Sequence, residues 1–378
     1  MKTFPDIKVV TVENGFTDDR LISLYSDLFG GKEDVDSNKE RMRAFPDSYS
    51  REKLTKSEQE VSLIKAAIKK AKSRIKLADG KDGRDLSFPD ATKIEHSSFV
   101  GSSVETIDLP KVTHIGTDAF LGATDLKSVN APLVTTIEEG AFSDCHSLEL
   151  LSFENLTEIG PRAFLDSSLG AINAPLVTTI GEKAFKGCDH LMSVNFKSLT
   201  NIGPHTFGHS GLDRISLPKI ASVERSAFSD ARKLENVAIP RATVIEDSAF
   251  AHCHSLKTVR ADSLTRIERK AFYHSGLKEL YAPNVKYVGR DAFGDSDIEV
   301  LELPKAELIE SRAFTRSSLR AISIGDKDQK FITTLHSPDA FSKLPPGFMI
   351  YVPEHLFRQY LDSSWGKLKG HITFQPSI

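Results

Sequence analysis

Leu212 to Phe228 reads LDRISLPKIASVERSAF, and Leu277 to Phe293 reads LKELYAPNVKYVGRDAF. Superposed on their last residue, the two stretches share an apolar column, a proline and a β-branched residue five places before the phenylalanine. The phenylalanine recurs every 21 or 22 residues, at Phe99, Phe120, Phe142, Phe164, Phe185, Phe207, Phe228, Phe250, Phe272, Phe293 and Phe314. The β-branched position recurs with it, at Ile94, Ile115, Ile137, Ile159, Ile180, Ile202, Val223, Ile245, Ile267, Val288 and Ile309. A fixed period in this range marks a solenoid, whose short coils bury their apolar edges only against their neighbours.

Within each coil the segment before the proline, as in Leu234-Val237-Ile239, alternates and is rich in β-branched residues, so a short strand is expected there. One strand per coil would build a parallel sheet with a spacing of about 4.8 Å. Proline, lacking a backbone donor, ends the strand at Pro110, Pro132, Pro175, Pro218, Pro240, Pro283 and Pro304. The residue after the β-branched position is Gly at 116, 160, 181, 203 and 289 but Glu in six other coils. A site that accepts Glu does not demand positive φ. The Ala-Phe stretch then reads as a short helical or irregular turn opposite the sheet. Three residues after each phenylalanine stands a small side chain, and Cys145, Cys188 and Cys253 occupy that slot as small buried residues.

The phrase I-G-x-x-A-F-x-x-C-x-x-L, repeated in register over residues 86–325, resembles the leucine-rich repeats of the BspA-like type. The resemblance implies a curved leucine-rich-repeat solenoid found on bacterial, protist or phage-associated proteins, with roles in adhesion and binding rather than catalysis. It differs from the better-known leucine-rich repeats in lacking their asparagine ladder. No leader or wall anchor is recognisable: Met1-Lys2 is followed by Thr3, Phe4, Pro5 and Asp6, with no apolar core.

Three regions are expected: an N-terminal helical cap or attachment region over 1–85, the solenoid over 86–325, and a small α/β C-terminal cap over 326–378. Helices are expected at Asp18 to Phe29 and at 57–75, where Ser57 and Glu60 can form a capping box and Val61, Ile64, Ile68, Ala71 and Ile75 share a face. The opposite face, with Lys65, Lys69, Lys70, Lys72 and Arg74, could serve attachment or oligomerisation. Past Phe314 the next comparable phrase is Asp339-Ala340-Phe341. Ile350-Tyr351-Val352-Pro353 reads as a closing strand, with a helix from about Glu354 to Leu361 and then Trp365, the only tryptophan.

No nucleophile elbow, phosphate loop, dinucleotide fingerprint or zinc-protease motif occurs, so no catalytic residue, cofactor or metal is assigned. Asp34, Asp36 and Asn38 open like a calcium loop, but Lys39 and Phe45 break the pattern. His252-Cys253-His254, Cys145-His146 and Cys188 with His190 recur because one turn recurs, with thiols expected inward and imidazoles outward. A net charge of -3, from 49 basic and 52 acidic residues, offers no field for a nucleic-acid partner. No segment is apolar enough to insert in a membrane. A soluble chain is expected, at a cell surface or on a virion, with the cytoplasm as the alternative.

Function is therefore sought on the outward positions of the strands. Their central column runs Asp108, Asn130, Ser152, Asn173, Asn195, Ser216, Ala238, Arg260, Tyr281, Glu302 and Ser323, small and neutral at first, then long and charged. Arg214, Lys257, Arg260, Lys278, Tyr281, Glu302 and Arg320 are the candidate partner-binding residues, Tyr and Arg being common interface anchors. The expected function is non-enzymatic recognition or adhesion, binding a protein or glycan through the sheet face. A virion decoration with the solenoid as rigid spacer, or an intracellular adaptor or inhibitor, are the alternatives.

Overall fold

The structure, a computed structural model, describes residues 84–374. The helices expected at 18–29 and 57–75 and the acidic loop around Asp34 lie outside the described residues, as does Ile378 at the end of the chain. The described residues form a succession of coils in one parallel β-solenoid.

Each coil carries two strands where one was expected. In a representative coil, Ser128–Asn130 precedes the turn at Pro132 and Thr136–Ile137 follows it. The second strand contains the β-branched column, and its members form two parallel six-stranded sheets. Ile and Val favour extended backbone because their branched Cβ restricts χ1. That strand is only two residues long, too short to show a period of two. Its backbone bonds continue past the strand: the Glu138 amide donates to the Ile115 carbonyl at 2.9 Å and the Gly160 amide to Ile137 at 2.7 Å.

Between the two rows of strands and the far side lies a single core. The phenylalanines form its spine: from Phe99 to Phe341 successive rings stack with centroids 5.1–5.5 Å apart and planes within 15°. Phe120 through Phe314 have no exposed surface. This is an offset stack rather than a face-to-face sandwich, the arrangement the ring quadrupole favours.

From Phe99 to Phe314 the turn that contains each phenylalanine is irregular, not helical, while Phe341 ends a short 3-10 helix, Pro338–Phe341. Residues two before and two after the ring adopt left-handed backbone, as in Asp118 and Gly122 (φ 54° and 66°) or Lys270 and His274 (φ 56° and 53°). Alternate amides consequently point in different directions. Those of Asp118, Phe120 and Gly122 donate to the next coil, at Glu139, Ala141 and Ser143, while those of Ala119, Leu121 and Ala123 close local turns. Half of the backbone groups join coils and half fold the turn, so neither set is left unpaired.

The choice between 21 and 22 residues is made in the small-residue slot. Where it holds Ala123, Cys145, Cys188, Ala231 or Cys253, two residues separate it from the next core aliphatic residue and the coil has 22; where it holds Ser102, Ser167, Ser210, Ser275 or Ser296, one residue does and the coil has 21. Cys145, Cys188 and Cys253 reach back to the preceding coil, donating to the carbonyls of Phe120, Phe164 and Phe228 at 3.0–3.2 Å. Ser275, Ser296 and Ser317 instead donate to the phenylalanine of their own turn at 2.8 Å. The thiols are buried, and His146, His190 and His254 lie exposed on the convex side.

Gly116, Gly160, Gly181, Gly203 and Gly289 do not have positive φ, as the alternation with Glu required. They are needed for close approach: a Cβ on Gly160 would stand 2.7 Å from the Glu138 carbonyl carbon.

At the C-terminal end Phe341 continues the spine although the spacing has lengthened. Met349–Val352 pairs with Ala321–Ile324 and with Ile372–Phe374. A short helix, Phe357–Leu361, follows the closing strand. Trp365 is fully buried, packs on Phe341 and donates from Nε1 to the Thr333 carbonyl at 2.8 Å. Tyr360, also fully buried, bonds Thr333 through its hydroxyl. No helix among the described residues is long and apolar enough to cross a membrane.

Candidate binding surface

The first strand of each coil sets the surface. Its middle residue points into the core, as Ile107, Val237 and Val259 do, and its flanking residues lie on the other face. Parallel pairing in register then stacks equivalent residues one coil apart: Arg214, Asn236, Thr258 and Glu279 in one row, and Ser216, Ala238, Arg260 and Tyr281 in the next.

The N-terminal half of this column does not stand free in solvent as expected. Ser152, Asn173 and Asn195 are buried, at 8%, 3% and 5% exposure, and hydrogen-bond to one another along the stack. Asn173 Nδ2 donates to Ser152 Oγ at 3.2 Å and Asn195 Nδ2 to Asn173 Oδ1 at 2.7 Å. Asn130 likewise donates to Asp108 at 2.5 Å. An amide ladder is therefore present, on the outward column rather than in the core. Asn173 presents a donor to one neighbour and an acceptor to the other, which parallel register places within reach.

The second half remains accessible. Arg260 holds Asp262 through two bonds, Nε to Oδ2 at 2.7 Å and Nη2 to Oδ1 at 2.6 Å, and its guanidinium lies 5.2 Å from the centroid of the Tyr281 ring. The fork fixes the guanidinium plane against the ring. Tyr281 is 46% exposed, and Val300 in the next coil 60%. Glu302, one coil beyond Tyr281, is exposed as well.

The same arrangement occurs on the second strands of these two coils. Arg266 lies 4.2 Å from the centroid of Tyr287 and bonds Glu268, its neighbour two residues on. Arg-x-acid followed by Tyr 21 residues after the Arg is thus present twice. Asp262 and Glu268 were missed in sequence, although the spacing Arg260-Ala261-Asp262 was the available signal.

The other candidate cations are paired. Lys257 meets Glu235 at 2.7 Å, Lys278 meets Asp297 at 3.3 Å and Arg320 meets Glu299 at 3.7 Å, each across one coil boundary. Arg214 meets Asp213 at 3.0 Å. Arg260, Tyr281 and Arg266, Tyr287 are brought together, while the four other basic residues are spread along flanking ion pairs. The same lengthwise pairing joins Lys127 and Arg84 to Glu105, and the two hydrogen-bonded cations, Lys127 foremost, hold that carboxyl below its ordinary range. The surface is consequently a mixed-charge, aromatic one, and not a basic track.

A model of the BspA type leucine rich repeat region matches the chain over residues 84–191, 157–278 and 221–343. Among curated proteins, no sequence matches it. Solved structures similar to the chain include a leucine-rich repeat protein from Bacteroides ovatus, 22% identical, covering 78% of this chain and 92% of that one with a TM-score of 0.40. The pneumococcal vaccine antigen PcpA is 19% identical over 79% of this chain and 89% of its own, with a TM-score of 0.42. A leucine rich repeat protein of T. pallidum is 20% identical over 56% and 76%, with a TM-score of 0.29.

Proposed function

This chain belongs to the BspA-type leucine-rich-repeat family, and from that premise we propose that it is a recognition protein that binds a protein or glycan partner through its exposed strand face, without chemistry of its own. The observation that carries the reading is the rigid aromatic–guanidinium pair at Arg260 and Tyr281, repeated at Arg266 and Tyr287. An exposed Tyr beside an Arg already held by a carboxylate has little freedom left to lose on binding, which is what an anchor residue needs. Val300 and Glu302 extend the same patch with an apolar and an acidic contact. Lys257, Lys278, Arg320 and Arg214 form its rim, where paired charges tune encounter more than affinity. Adhesion at a cell surface or on a virion is the setting we favour.

The test is binding of the purified full chain to immobilised glycans and extracellular-matrix proteins, followed by the double variant Arg260→Glu with Tyr281→Ala on whatever surface retains it. Loss of affinity of roughly thirtyfold is expected, the scale of two anchor residues. Lys111→Glu, in the first half of the solenoid, should leave binding unchanged. Equal binding by the double variant and the parent would place the site elsewhere.

A further inference from the structure

Both sheets stop at the same coil boundary. Ser193–Asn195 ends one group of first strands and Arg214–Ser216 begins the next, while Asn201–Ile202 and Ser222–Val223 end and begin the two six-stranded sheets. The first strands are interrupted at two other boundaries, but there the second strands still pair, Thr136–Ile137 with Glu158–Ile159 and Tyr287–Val288 with Leu308–Ile309.

The boundary on either side shows what is missing. Going back one coil, Met192, Thr200 and Gly203 donate to Gly170, Thr178 and Ile180; going on one coil, Glu235, Thr243 and Glu246 donate to Asp213, Ala221 and Val223. Among the described residues, the equivalent amides of Asp213, Ala221 and Glu224 have no backbone partner in the coil before. The convex side is intact: His205, Phe207 and His209 donate to Arg225, Ala227 and Ser229 at 2.7–3.0 Å, and Phe207 stacks on Phe228 at 5.2 Å.

One side-chain row is interrupted at the same place. Thr113, Thr135, Thr157, Thr178 and Thr200 each donate a side-chain hydroxyl to the carbonyl of the equivalent residue one coil back, at 3.1–3.3 Å. Thr243 and Thr265 do the same. The residue between Thr200 and Thr243 in this column is Ala221, which has no hydroxyl to offer. Lys286 and Glu307 later in the column also lack it and keep their amide bonds to Thr265 and Lys286 at 2.8 Å, so the lost hydroxyl weakens a boundary that the unpaired strands define.

We propose that the solenoid hinges at this seam, with the convex turns and phenylalanine spine as the axis and the strand sides of residues 84–202 and 213–374 free to open and close. Opening breaks no backbone bond between the strands themselves, because none joins the two halves there and only the Gly211 amide, ahead of the first strand, still reaches back to the Cys188 carbonyl at 2.9 Å, whereas opening any neighbouring boundary would break a whole row. The buried amide ladder ending at Asn195 and the charged face that begins with Arg214 lie on opposite sides of the seam, so the hinge sets the angle between them. This inference stands whether or not that face binds the proposed class of partner.

The experiment uses the full chain with nitroxide labels on exposed positions three coils apart. Leu176→Cys with Arg241→Cys spans the seam, and Lys111→Cys with Leu176→Cys does not; the native thiols are buried and stay unlabelled. The distance distribution across the seam should be at least about twice as broad as the other. The Ala221 and Glu224 amides should exchange at least about tenfold faster than those of Thr243 and Glu246. Ala221→Thr, an exposed change, should narrow the distribution and slow exchange at Glu224 by about fivefold, the effect of one added hydrogen bond. Equal widths, or equal exchange on both boundaries, would overturn the hinge. A broad distribution that Ala221→Thr leaves untouched would overturn Ala221 as its origin.

Discussion

At the scale of single residues, one position can serve a structural purpose that looks like chemistry. The cysteines illustrate this: burial pushes the Cys145 and Cys188 thiols up to about 12 and raises that of Cys253 as well. A thiol with so little thiolate at neutral pH is a poor nucleophile. All three should therefore resist alkylation by iodoacetamide in the native protein at pH 8 and react together on unfolding in guanidinium. Labelling of any one of them without unfolding would contradict the packing described. One of the histidines beside them, His252, recurs with two others for a backbone reason. His209, His252 and His274 occupy the left-handed position after the ring, which in other coils is Gly or Asp and once Arg316. Gly, Asp and His are among the residue types that tolerate that region best.

Glu246 makes the corresponding electrostatic case. Desolvation, and then the flanking Glu268 and Glu224 one coil away on either side, raise its carboxyl above the ordinary value. Its contribution to stability is present below the unfolded carboxylate pKa and is lost as pH rises through the raised folded value. Glu246→Gln should therefore raise the melting temperature at pH 7, and the difference should disappear below about pH 4, where the parent carboxyl is also neutral. A melting difference that persists at pH 3 would point to packing and not charge.

At the scale of elements, the coil is held by rows that run along the stack, and the sequence allows some rows to be read more easily than others. The phenylalanine and β-branched columns are long, apolar and periodic, so they were plain. The two-residue second strand was not, because it shows itself only through partners 21 or 22 residues away. The glycine row is intermediate: its alternation with Glu excluded a left-handed role, but only the packed coils show that the backbone of Glu138 is close enough to fill the place of a Cβ. Gly160→Ala should accordingly destabilise the solenoid by about 1–3 kcal/mol, the usual cost of forcing an extra group into a filled space. Urea denaturation would measure it, and a change near zero would mean that the neighbouring coil shifts freely.

On the scale of the whole molecule, the rows combine into a body whose strand face changes character halfway along. The sequence by itself determined the solenoid, its period, the buried spine, the inert thiols and the closing segment around Trp365, because each follows from apolar side chains repeating at a fixed interval. It also showed the switch from small to charged residues along the outward column. What only the tertiary structure decided is which of those residues meet. Residues one coil apart in space are 21 or 22 apart in the chain, and the choice between these numbers moves the register from coil to coil. Arg260 therefore finds Tyr281, Asn195 finds Asn173, and Thr200 finds no hydroxyl above it, through contacts that depend on parallel register and coil spacing. Side-chain identity repeats along a sequence and can be read there; hydrogen bonds and ring contacts need positions in three dimensions, which the packed coils alone supply.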